Sequence, residues 1–193
     1  KQAVSYLSKF STLTRTILEM SEKENITLSE EIKTLGLYLD IEKAVSKLRK
    51  KWKLNDSPVD DISGFLENKG FKIVTMDRPT QSPGLCGSIK DNENSIPFII
   101  INVNQEHIRE VTRKRFTLLH ELCHILCSFG GDVSKDQEEK FCNSFASTFL
   151  LPESSLREYL GKDRTTISLE ELKTIKKIYG VSIQGIIYRA HST

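Results

Sequence analysis

The sequence predicts an α+β fold: a small three-stranded twisted sheet packed with two helices that carry candidate metal ligands, preceded by an N-terminal helical hairpin. Three observations predict it. Phe116 to Cys127 places apolar residues at Leu118, Leu119, Leu122, Ile125 and Leu126, the spacing of a largely buried helix. Pro97-Phe-Ile-Ile-Ile-Asn102 is a continuous apolar run, as in a buried strand. Residues 3 to 52 hold two helical stripes separated by the polar run Ser21 to Asn25.

Taken in order, Leu7, Phe10, Leu13 or Thr14, and Ile17 mark the first helix. Thr27 with Glu30 three residues on is a capping-box start for the second. Tyr38, Ile41, Val45, Leu48 and Trp52 then alternate spacings of three and four, a short coiled-coil-like seam. Two helices packed on the main domain are the plain expectation; a dimerising or sensing hairpin is the sharper one. Lys47 to Lys53 is a basic cluster at the end of that helix, where cations suit the helix dipole. It is expected to be solvated rather than a nucleic-acid patch. Asn55-Asp-Ser-Pro58 is a turn and the best boundary, giving a hairpin over residues 1–54 and a main domain over 55–193.

Val59 to Lys69 is expected as a helix ended by Gly70. Phe71 to Met76 is rich in β-branched residues and strand-like, and Leu85 to Ile89 is a short strand or edge. An edge strand beside the helix at Phe116 could pair with an extended peptide. Ser134 with Gln137 opens a further helix in capping-box fashion, which stops at Pro152. Short helices follow at Glu153 to Leu160, at Ser168 to Gly180 and from Ser182 to Arg189. The last pair superficially suggests a helix-turn-helix, but Ile183-Gln-Gly-Ile-Ile-Tyr-Arg189 is too apolar to lie in a groove.

Chemistry centres on His120-Glu121-Leu-Cys-His124, an H-E-x-x-H sequence. Four residues make about one helical turn, so both imidazoles project from one face. They can take two corners of a tetrahedral zinc site and leave room for water. Glu121 is placed to act on that water as general base. On the next helix, Glu139 shares a face with Asn143, Ala146 and Leu150, opposite the core face of Phe141, Phe145 and Phe149. Glu139 could complete the ligand set, with Glu138 as its rival, and Asn143 could hydrogen-bond a ligand imidazole. One Zn²⁺ per chain is expected. Tyr188, Arg189 or His191 could reach the site to stabilise a transition state, with Tyr188 the leading candidate. His107 is expected at the surface. Arg113 and Arg115 could be solvated or bind a carboxylate of substrate or scaffold.

The four cysteines, Cys86, Cys123, Cys127 and Cys142, lack a spaced disulfide framework, so reduced thiols in a cytoplasmic protein are expected. Cys123, Cys127 and Cys142 are expected as core packing, while Cys86 could reach an open metal position. The formal charge is +2 with 28% charged residues. That balance argues against a general polyanion binder and makes no case for a membrane partner.

Two resemblances extend this. Tyr6 to Arg15, Ile26-Thr-Leu-Ser-Glu-Glu31 and Tyr38-Leu-Asp-Ile-Glu42 resemble the dimerisation and phosphoacceptor region of LytS/YehU-type sensor histidine kinases. No histidine precedes His107, so the resemblance implies a hairpin without kinase activity, regulatory or dimerising. Pro58-Val-Asp-Asp, Asn68-Lys-Gly70, Ile99 to Asn102, Arg113-Lys-Arg-Phe-Thr117, the H-E-x-x-H sequence, Asn143-Ser-Phe-Ala146 to Pro152, and Tyr179-Gly-Val-Ser182 through Ala190 resemble the ImmA/IrrE metallopeptidases. Cys123 departs from that pattern, which usually has Gly, and Phe141-Cys142 stands where Glu-Ala is frequent. The resemblance implies a zincin-like, gluzincin-type endopeptidase with Glu139 as third ligand. It further implies a protein substrate, a helix-turn-helix repressor or antitoxin of bacteria and mobile elements, whose cleavage releases gene expression. The chain itself need not bind DNA. The alternative is a non-catalytic zinc-binding regulatory module.

Overall fold

The computed structural model describes residues 41–77, 82–91, 94–104, 110–127, 129, 133–161 and 164–192. The first helix of the expected hairpin, the capping box at Thr27 and His107 lie outside the described residues. The elements in order are α1 (Ile41–Lys51), α2 (Ile62–Glu67), β1 (Lys72–Met76), β2 (Gly84–Asp91), β3 (Asn94–Asn102), α3 (Val111–Leu126), α4 (Lys135–Leu150), α5 (Glu153–Leu160), α6 (Leu169–Tyr179) and α7 (Ile183–Ser192).

The sheet is mixed, in the order β1-β3-β2. β3 is central: it pairs parallel with β1 and antiparallel with β2. Its run Phe98 to Ile101 is buried, as a strand covered on both faces must be. β2 is therefore an edge, and it lies against α3. α2 is shorter than the sequence pattern suggests. Asp61 caps it by accepting the Gly64 N–H at 3.0 Å, so the helix starts only after Val59 and Asp60. α4 opens with both halves of the expected capping box between Ser134 and Gln137.

One core joins these parts. Ile99 and Ile101 of β3 meet Leu118, Leu119 and Leu122 of α3, and Phe145 and Phe149 of α4. Val45, Leu48 and Trp52 belong to the same core, so the described part of the seam expected for the hairpin packs here. Trp52 stands edge-on to Phe65 at 5.4 Å and to Phe149 at 5.8 Å.

Buried arginines tie the element ends together. The last carbonyls of a helix lack partners within it. Arg49 donates to Phe149 O at the end of α4 at 2.5 Å, and to Asn55 O and Ser57 O at 2.7 and 2.5 Å. Arg189 donates to Leu151 O just beyond. Arg49 thus departs from the solvated basic cluster expected around it; the carbonyls of the turn at Asn55 to Ser57 and of the buried end of α4 draw it inward. Arg115 donates to Val59 O, Asp60 O and Tyr179 O, which joins three separated sequence motifs at one guanidinium. Gly180 ends α6 in the left-handed region at φ 62°, and a Cβ there would lie 2.5 Å from Arg115 Nε. Among the described residues no helix is long and apolar enough to cross a membrane.

Candidate metal centre

α3 and α4 are packed face to face, and each presents part of one polar cluster. His120 and His124, one turn apart on α3, bring their Nε2 atoms to 3.1 Å of each other. Glu139 of α4 places Oε2 at 3.1 Å from His120 Nε2 and Oε1 at 3.7 Å from His124 Nε2. The three residues thus offer ligand atoms that all lie within 4.8 Å of one another. Zinc–nitrogen bonds of about 2.0–2.1 Å in a tetrahedron require neighbouring ligand atoms about 3.3 Å apart. The cluster has that spacing and a His, His, carboxylate composition, so it fits a divalent cation such as zinc.

The outward ring nitrogens are also occupied. His120 Nδ1–H donates to Asn143 Oδ1 at 2.9 Å, and His124 Nδ1–H donates to Glu138 Oε1 at 2.9 Å. With Nδ1 as the donor, the neutral form of each ring carries its lone pair on Nε2, the atom that faces the shared point. Asn143 was foreseeable from the helical face it shares with Glu139. Glu138, the rival ligand by sequence, stands instead as the partner of His124 Nδ1, a position that no local feature of the sequence marks. Adjacent carboxylates on one helix point in different directions, and only the location of the second imidazole tells them apart.

The Cys142 thiol lies 3.6 Å from His124 Nδ1. That contact is the main cause that raises the His124 pKa to about 9, against burial, with Glu138 adding to it. Cys142 is lowered to about 6, first by the Cys123 thiol and then by His124. Cys123 lies 3.6 Å from Cys127, and burial pushes its thiol up. All four cysteines are free.

A cavity of about 620 Å³ opens over the cluster, lined by His120, Glu121, His124 and Glu139 on one side and Ser82 to Ser88 on the other. Glu121 is 8% exposed and faces β2. Gly84 permits that approach: a Cβ on it would lie 2.7 Å from Glu121 Oε1 and 2.9 Å from Thr117 Cγ2. Cys86 follows on the same strand, and its thiol hydrogen-bonds to Glu121; burial and then the Glu121 charge push its pKa up. Tyr188 is not among the residues lining this cavity. It is 61% exposed on α7 and lines a second cavity with Asn143 and Phe116.

Compared with known families, residues 68–191 match the IrrE N-terminal-like domain. The chain belongs to that family, which is of the ImmA/IrrE type. The match takes in β1 to α7 and every residue of the cluster, and membership supports a metallopeptidase. Residues 1–49 match the histidine kinase family. That second match ends inside α1, at the buried Arg49. No curated protein is similar enough to the chain to count as a relative.

Proposed function

We propose that this IrrE-like chain is a zinc-dependent endopeptidase, with His120, His124 and Glu139 holding one metal ion and Glu121 acting as general base. One observation carries the proposal: both imidazoles are anchored through Nδ1, so both Nε2 atoms and the Glu139 carboxylate converge on a single point beside an open cavity. When bound there, zinc would supply a Lewis acid that polarises a peptide carbonyl and acidifies a water.

The chain's own groups do the rest. Glu121 takes a proton from the water as it adds to the scissile carbonyl carbon. The C–N bond then breaks, and the proton passes from Glu121 to the leaving amine. Asn143 and Glu138 hold the imidazoles in the tautomer that the metal requires. Edge strand β2, whose residues Gly84 to Ser88 line the cavity, offers backbone groups with which an extended substrate can pair. The substrate class we propose, a helix-turn-helix repressor or antitoxin, rests on the family resemblance.

The test is incubation of zinc-loaded chain with candidate repressors, beside Glu121→Ala. Cleavage by the parent, with zinc and fold kept but cleavage lost in Glu121→Ala, is expected. No cleavage by the zinc-loaded parent, with repressor binding kept in both parent and Glu121→Ala, would instead favour a non-catalytic zinc-binding module.

A further inference from the structure

A second cavity, of about 660 Å³, adjoins the metal centre between the start of α3, α4 and α7. Asn143 connects the two: it lines this cavity while its Oδ1 accepts from His120. Phe116 is the other link, its ring 6.4 Å from the His120 ring. At about 3.3 Å per residue, about two residues of extended peptide cover that distance, and Arg113, nearly one helical turn before Phe116, lies a little farther along.

The walls differ in character from those of the first cavity. Phe116, Leu150 and Val181 supply apolar surface. Arg113 and Lys140 supply two exposed cations, and neither pairs with a described carboxylate. Among the described residues Glu110 is the one carboxylate in the lining, and Lys176 lies 3.5 Å from it. Exposed cations on convex helix surface need no explanation. Here they overlook a concave surface together with Tyr188, an exposed aromatic ring with a hydrogen-bonding tip, the kind of side chain that anchors binding sites.

We infer that this cavity is a substrate subsite that takes an acidic side chain, Asp or Glu, two or three residues from the scissile bond. Arg113 and Lys140 select the carboxylate, and Phe116 and Val181 receive apolar atoms beside it. The inference rests on the peptidase proposal and adds a substrate preference to it. Arg115, two residues from Arg113, has no part in it, because its donors are engaged by Val59, Asp60 and Tyr179.

The test uses the zinc-loaded chain and a synthetic peptide library randomised on both sides of a central position, with cleavage products sequenced by mass spectrometry. The parent should enrich Asp and Glu about fivefold at one position near the cut, the scale of one or two partly exposed ion pairs. Arg113→Glu alone, away from the metal ligands, should erase that enrichment. Arg113→Glu with Lys140→Glu should move it to Lys and Arg at the same position, with zinc content unchanged. Cleavage without an acidic preference, or one profile shared by parent and variants, overturns the subsite. Absence of cleavage by the fully zinc-loaded parent overturns the peptidase proposal itself, and the subsite with it.

Discussion

Asn143 Oδ1 lies 2.9 Å from His120 Nδ1, a contact that joins the helix carrying the H-E-x-x-H sequence to the helix carrying Glu139. The pair Glu138 and His124 repeats it at the same distance. Ligand and anchor can therefore be separated by substitution. Glu139→Ala should lose zinc, whereas Glu138→Ala and Asn143→Ala should keep it with affinity lowered about 10- to 100-fold. Chelator competition measures both. Equal loss in Glu138→Ala and Glu139→Ala would remove the distinction.

Gly84 sets how closely β2 approaches Glu121. A methyl group at Gly84 would meet Oε1, Cγ of Glu121 and Cγ2 of Thr117, all under 3.0 Å. Gly84→Ala should lower kcat about tenfold or more by displacing the base, while zinc content stays at the parent level. Unchanged kcat would show that Glu121 tolerates displacement.

Much of this was legible in the sequence. The apolar run at Ile99 to Ile101 and the stripe on α3 give the sheet and its covering helix, because burial dictates their period. The capping boxes at Ser134 and Ser168 fix two helix starts through purely local bonds. Long-range contacts were not legible. Nothing local distinguishes Arg49, buried against Phe149 O, from its exposed neighbours Lys50 and Lys51. Likewise Arg113 and Arg115 look alike in sequence, yet one is exposed beside a cavity and the other is buried among backbone carbonyls.

Arg49 and the core residues of α1 yield a stability prediction. Arg49→Met leaves carbonyls of Asn55, Ser57 and Phe149 without these donors, and should destabilise the chain by about 3 kcal/mol. A chain beginning at residue 55 also loses Val45, Leu48 and Trp52 from the core, and should be less stable still. Urea denaturation measures both. A chain from residue 55 as stable as the parent would make residues 41–54 a dispensable appendage.

Acid dependence is expected at the start of α6. Arg164 and, after it, Ser168 hold the Glu171 carboxylate at a pKa of about 2. A depressed carboxylate stabilises the fold above its ordinary range, and that contribution fades as pH falls toward the folded value. Glu171→Gln should therefore lower the unfolding midpoint at about pH 7, with the gap narrowing from about pH 4.5 downward. A gap that widens in acid would contradict this.

The most direct test of the three-ligand zinc site is the metal content of the purified chain beside His120→Ala and Glu139→Ala. The convergence of His120, His124 and Glu139 predicts about one zinc per chain, lost in both variants. Zinc retained in Glu139→Ala would move the third ligand elsewhere, and no zinc in the parent even after it is supplied would contradict the metallopeptidase assignment altogether.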